Sequence, residues 1–195
     1  IVGDYYSSGN IYGIDAATGR QIYSNSIGSS LILGFTRLQD VNGDNKTDIV
    51  PAHSGATAYV IDGYSGDTIW SHSLADKSWS VARSADISGD GIDDVMIGTL
   101  YTNNYCYFLN GTDGSELETL SYKSPVDAIA AVPDIVGDGS MELVVGTRDG
   151  YVFCESGGTL VEQSTSFSWT LHDGWNLIGL PVEHNYSMAS SLLEN

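Results

Sequence analysis

The feature that most limits what this chain can fold into is a nine-residue acidic segment that occurs three times at near-constant spacing. Asp40-Val-Asn-Gly-Asp-Asn-Lys-Thr-Asp48, Asp86-Ile-Ser-Gly-Asp-Gly-Ile-Asp-Asp94 and Asp134-Ile-Val-Gly-Asp-Gly-Ser-Met-Glu142 start 46 and 48 residues apart, and each runs into an apolar stretch. A second series interleaves with the first: Ile14-Asp-Ala-Ala-Thr-Gly19, Ile61-Asp-Gly-Tyr-Ser-Gly66 and Leu109-Asn-Gly-Thr-Asp-Gly114, with Asp15, Asp62 and Asn110 separated by 47 and 48 residues. Two independent landmarks with one period define a structural repeat of about 47 residues.

Each unit reads as an acidic loop, an apolar strand (48–51, 95–99, 143–147), a short turn and an aromatic strand (58–61, 105–109, 151–154). A Gly-rich hairpin turn and a third strand follow (68–72, 116–120), then a segment leading to the next loop (80–85, 126–132). Composition agrees: 18 Asp against 7 Glu, with 23 Gly and 12 Tyr, favours turns and strands over helix. The reading is all-β, with four-stranded β-propeller blades over 1–165. Three to four blades are present, and the first and last partial units contain the same strands, so they cannot complete each other. The expectation is an incomplete portion of a larger propeller.

The acidic loops carry the chemistry. Carboxylates at positions 1, 5 and 9, a side-chain oxygen at 3 and a backbone carbonyl at 7 surround one centre with hard oxygen ligands, and Gly lets the backbone turn tightly. That donor set suits calcium and offers no nitrogen or sulfur to a softer metal. The predicted ligands are Asp40, Asn42, Asp44, the Lys46 carbonyl and Asp48 in the first loop, and Asp86, Ser88, Asp90, the Ile92 carbonyl and Asp94 in the second. The third offers Asp134, Asp138, the Ser140 carbonyl and Glu142, but Val136 stands where an oxygen is wanted, so two Ca2+ sites are expected and a third is weaker. An EF-hand loop requires a bidentate Glu at position 12 before a helix; here position 12 is Pro51, Ile97 and Val145, each in an apolar strand. Metal-free Asp-Gly turns are the plain alternative. Against it stand ten carboxylates, Asp93 included, crowded into three loops in register.

These residues resemble the FG-GAP and VCBS-type calcium-binding repeats of integrin alpha-subunit propellers and of prokaryotic, including archaeal, surface proteins. The resemblance implies calcium sites that stiffen blade loops and perform no catalysis. The turns at Asp15 with Tyr23, and at Asp62 with Trp70, are similar to quinoprotein-like repeats, in which an aromatic docks one blade on the next. The third turn departs, with Asn110 and no Trp.

A formal net charge of -18 sets nucleic acid and anionic membrane surfaces aside as partners; two calcium ions would bring it to -14 and a third to -12. No apolar run approaches the roughly 18 residues of a membrane span. Cys106 and Cys154 read as buried small hydrophobes, with one disulfide open. Sequons stand at Asn45, Asn110 and Asn185. Residues 166–195 leave the repeat: the run from Trp169 to Val182 resembles the first strands of an appended small β domain, truncated here, with a short helix from Ser187.

No nucleophile elbow, metalloprotease helix or phosphate loop occurs, and His53, His72, His172 and His184 fit no metal-ligand spacing. Trp70 and Trp79 read as blade-docking residues in preference to sugar platforms. The expected function is a non-enzymatic, extracellular or cell-surface propeller for adhesion, assembly or ligand display. Its partners would be protein, carbohydrate or further copies of itself. The alternative is a polysaccharide lyase-like enzyme, which needs a cluster of basic residues beside one metal.

Overall fold

The computed structural model describes residues 1–5, 8–28 and 30–156; the predicted C-terminal β domain, with His172, His184 and Asn185, lies outside the described residues. Among the described residues, fourteen strands form four antiparallel sheets. The first contains β1 (Val2–Gly3), β2 (Asn10–Ile14) and β3 (Gln21–Ser26) in that order. The second is β4 (Ile32–Leu38), β5 (Asp48–His53), β6 (Thr57–Ile61) and β7 (Thr68–Ser73); the third is β8 (Ser78–Arg83), β9 (Val95–Thr99), β10 (Tyr105–Leu109) and β11 (Glu116–Ser121). The fourth is β12 (Val126–Val132), β13 (Glu142–Thr147) and β14 (Val152–Ser156). No helix occurs among the described residues, and none of them forms a helix able to cross a membrane.

The sheets stack face to face like propeller blades, which explains the unbroken apolar runs. A sheet sandwiched between two others buries both faces, so its middle strands are apolar along most of their length, with hydrogen-bonded polar residues at their ends. All six residues of β5 and all five of β9 are buried. Alternate residues serve alternate neighbours: Ile49 packs with Ile11, Ile32 and Ile61 toward the first sheet, while Val50 joins Leu38, Val95, Ile97 and Leu109 between the second and third. Met96 turns the other way, to Cys106, Val126 and Val145 against the fourth.

The blade begins one strand earlier than the acidic loop. The segment that precedes each loop pairs with the strand that follows it: Leu38 stands opposite Asp48, Arg83 opposite Val95 and Val132 opposite Glu142. Each loop therefore connects the first two strands of one sheet. Among the described residues the first sheet has no counterpart of β4 and the fourth none of β7, so the two share the same middle strands. β8 lies against both β4 and β12, and these first strands form the inner end of the stack.

Aromatics lock neighbouring blades. Trp70 is buried, and its Nε1–H donates to the Gly111 carbonyl at 2.8 Å. Its ring covers Gly114, where a Cβ would meet Trp70 Cε3 at 2.5 Å and where φ is +75°. Tyr23 repeats the arrangement one blade earlier on Gly66, with φ +83°, and Asn25 Nδ2 adds a bond to the Gly66 carbonyl at 2.5 Å. Glycine supplies both the positive φ and the flat surface.

Candidate functional site

The three acidic loops share one hydrogen-bond skeleton. The carboxylate at position 1 accepts the N–H groups at positions 4 and 6: Gly43 (2.7 Å) and Asn45 (2.7 Å) on Asp40, Gly89 (2.6 Å) and Gly91 (2.8 Å) on Asp86, Gly137 (2.5 Å) and Gly139 (2.8 Å) on Asp134. Position 5 accepts from position 7: Lys46 N–H on Asp44 at 2.7 Å, Ile92 on Asp90 at 3.0 Å, Ser140 on Asp138 at 2.8 Å. Position 9 accepts from position 2: Val41 on Asp48 at 2.8 Å, Ile87 on Asp94 at 2.6 Å, Ile135 on Glu142 at 3.0 Å. At position 3, Asn42 accepts the Asp44 N–H at 3.0 Å and Ser88 Oγ donates to Asp86 at 3.2 Å.

Donated N–H bonds favour the ionised carboxylate. They hold Asp86 (Gly91 foremost), Asp90 (Ile92 foremost) and Asp134 (Gly139 foremost) below the usual carboxylate range. Asp48 goes the other way. Burial pushes its carboxyl up in spite of bonds from Val41 and Gly63, so its charge is costly there without a cation nearby.

The loops differ in how far their carboxylates converge. One oxygen each from Asp134, Asp138 and Glu142 lies within 4.8 Å of the others, and among the described residues no other acid, His or Cys triple is placed so closely. Oxygens ligating one calcium at about 2.3–2.6 Å stand at most about 5 Å apart, so this triple fits the ion. The longer Glu142 side chain reaches where an Asp does not. In the first two loops the buried Asp48 and Asp94 are drawn toward the neighbouring turn, and Gly63 and Gly111 N–H groups donate to them at 3.2 and 2.9 Å. Ranking by carboxylate spacing thus places the third loop first, where ranking by ligand count places it last. Asp93 joins no ligand set: it pairs with Arg83 at 3.1 Å, and its N–H donates to Gln39 Oε1 at 2.9 Å.

Between the first two loops lies a crevice of about 340 Å³ lined by Thr36, Arg37, Gln39, Thr47 and Arg83. Arg37 and Arg83 hold the same repeat position, 46 residues apart. Neither reads as basic clustering along the chain, and only superposing the repeats reveals it.

The described histidines sit in structural contacts. His53 is buried, accepts the Gly55 N–H on Nδ1 at 3.1 Å and donates from Nε2 to the Thr57 carbonyl. His72 stands 3.8 Å from Glu116. Both thiols are free, and burial, with a smaller push from Glu155, raises that of Cys106 to about 12. Trp79 lines a groove on the inner strands, with the Arg148 guanidinium of the next blade 5.7 Å from its ring centroid.

The sheets and inner strands define a β-propeller-type all-β protein. No family model matches the chain, and no curated protein does. Solved structures match at the level of fold. The chain is similar to BBS1N in its crystal structure with ARL6DN (17% identity, TM-score 0.57, 80% of this chain and 46% of that one). It is also similar to the computationally designed Ika4 protein (19%, TM-score 0.55, 77% and 81%) and to BamB from Moraxella catarrhalis (14%, TM-score 0.50, 80% and 41%). BBS1 and BamB are β-propeller proteins. The chain spans less than half of the BBS1N and BamB chains.

Proposed function

We propose that this chain is a non-enzymatic, calcium-binding segment of an extracellular propeller of the FG-GAP/VCBS type, used for adhesion, surface assembly or ligand display. The observation that carries the reading is the common skeleton of the three loops, which leaves one carboxylate triple at calcium spacing. Backbone N–H groups fix each carboxylate before any ion arrives, and a bound ion would tie the loop to its blade. A face held in this way need not be ordered when a partner docks. Calcium at the millimolar level of extracellular modules keeps such sites filled. The complex of the propeller neighbour BBS1N with ARL6DN supports protein as a partner class.

The test is thermal unfolding with excess EDTA and with about 1 mM calcium, the bound metal being counted by elemental analysis. A large calcium-dependent rise in melting temperature with two or three ions per chain is expected. No shift and no metal would leave the loops as ordinary turns and remove the basis of the reading.

One observation favours the polysaccharide lyase-like alternative: Arg37 and Arg83 share a crevice beside two acidic loops. Arg83 is already paired with Asp93, which weakens that basic cluster. Incubation with polygalacturonate in calcium, followed for the absorbance of unsaturated products, separates the readings; product formation that disappears in Arg37→Ala favours the enzyme.

A further inference from the structure

We propose that the groove across β4, β8 and β12 binds a neutral saccharide, with Trp79 as its platform and the Asp127–Arg148 pair as its hydrogen-bonding wall. The proposal rests on the ligand-display reading above but not on calcium.

The groove is built by the repeat. Leu33, Trp79 and Asp127 occupy one repeat position, 46 and 48 residues apart, and all three line the groove. At each the strand register slips: between Ile32 and Gly34, between Ser78 and Ser80, and between Val126 and Ala128. A bulge releases one residue from the ladder and redirects its side chain. Three first strands thus present one bulged residue each to a shared space of about 460 Å³, with Phe35 and Ile129 beside it. That volume lies in the small-molecule range of roughly 300–1,000 Å³.

The chemistry of those side chains selects the ligand. Trp79 is partly exposed and offers an apolar ring. The Arg148 guanidinium lies 5.7 Å from the ring centroid and is held in a fork on Asp127, Nε to Oδ2 at 3.1 Å and Nη2 to Oδ1 at 2.6 Å. The Arg148 backbone N–H is fixed too, on the Pro125 carbonyl at 3.0 Å. A guanidinium has five N–H donors, so the fork leaves three, and each carboxylate oxygen keeps a free lone pair. Asp127 lines the groove and Arg148 adjoins it through Asp127 and the Trp79 ring, so the pair supplies donors and acceptors without net charge there. Sugar hydroxyls both donate and accept, and the C–H face of a pyranose suits an indole. A polyanion meets the -18 field of the protein, with no unpaired cation among the described residues that line this groove to offset it. A cation meets Arg148 over the ring, and a wholly apolar ligand would strip water from the ion pair without replacing its bonds.

The test titrates the whole chain with gluco-, manno-, galacto- and xylo-hexasaccharides and with hexagalacturonate, by calorimetry and tryptophan fluorescence, in 1 mM calcium and in EDTA. At least one neutral hexasaccharide is expected to bind saturably, about tenfold more weakly in Trp79→Ala and about threefold in Asp127→Asn. Circular dichroism checks folding, and Trp79→Phe replaces Trp79→Ala if the latter does not fold. The proposal is overturned if none of the four neutral ligands binds at millimolar concentration, if both variants bind as the parent does, or if hexagalacturonate is preferred. Melting temperatures from the same samples keep the readings apart. Saccharide binding without a calcium shift overturns the calcium scaffold alone, and a calcium shift without saccharide binding overturns this site alone.

Discussion

Asp94 accepts the backbone N–H of Gly111 at 2.9 Å, joining the end of one acidic loop to the Gly-rich turn of the same blade. Asp48 does the same for Gly63 at 3.2 Å. The two landmark series keep a common period because they meet in space: a change in the length of β5–β6 or β9–β10 would separate the partners. Asp94 is fully buried and also accepts from Ile87 and Ser88 at 2.6 and 2.8 Å. Asp94→Ala orphans the buried Gly111 N–H, which costs about 1–3 kcal/mol, and frees the part-buried Ile87 and Ser88 N–H groups, which water can reach, so a loss of about 2–3 kcal/mol is expected in urea unfolding in EDTA. Asp94→Asn keeps one accepting oxygen and should cost less. Equal costs would show that the bond network is not what the aspartate supplies.

The repeat made most of the fold legible. Apolar runs at 95–99 and 105–109 and the segment at 126–132 coincide with β9, β10 and β12. Their neighbours differ by a residue or two, within which strand ends are set by the last ladder bond. The blade phase was not legible, since hairpin periodicity does not say which strand a long loop joins. Nor were the bonds from Gly63 and Gly111, because nothing local distinguishes a turn N–H that meets water from one that meets a buried carboxylate. Trp79 meets the next blade through Arg148 and not through a glycine turn, and the bulge at Ser78–Ser80 sets it at the inner groove, neither of which is visible along the chain.

Trp70 is the bolt between the second and third blades. Trp70→Ala removes a buried ring from a packed cluster and should cost about 3–5 kcal/mol. Trp70→Phe keeps most of the ring but leaves the Gly111 carbonyl without its donor, for about 1 kcal/mol from the lost bond and somewhat more from lost volume. Chemical denaturation ranks the pair; a Phe variant as damaged as the Ala variant would place the energy in the N–H bond and not in the packing.

The opposing glycine gives an independent check of the same contact. At Gly114 an added Cβ would lie 2.5 Å from Trp70 Cε3, on a residue with φ +75°. At Gly43, with φ +84°, nothing lies within 4 Å, so alanine there meets backbone strain alone, about 1 kcal/mol. Gly114→Ala is expected to cost at least about 1 kcal/mol more than Gly43→Ala, through ring displacement as well as strain. Similar melting temperatures for the two would mean that the tryptophan yields without loss.

His53 sets the behaviour of the fold below neutral pH. Its ring is 1% exposed, with Nδ1 accepting from Gly55, Nε2 donating to Thr57 and the Tyr59 ring 5.4 Å away, so only the neutral form satisfies both contacts. Burial holds its pKa below the ordinary 6.5, against a smaller upward pull from the Thr57 carbonyl. A depressed folded value means that the unfolded chain takes up the proton first. The stability His53 contributes is thus complete above pH 6.5 and is lost as the pH falls through the lowered folded value, with a slope of up to about 1.4 kcal/mol per pH unit. The carboxylates held low by backbone bonds titrate below 3.8 and do not enter this window. Urea unfolding of the parent and of His53→Gln, in EDTA from pH 7.5 to 5, isolates the effect as a difference of slopes. Asp48, whose carboxyl burial pushes up, contributes alike to both proteins and cancels in that difference, so the parent should weaken below pH 6.5 relative to the variant, whose amide still accepts and donates. Parallel slopes would assign the acid sensitivity to another group.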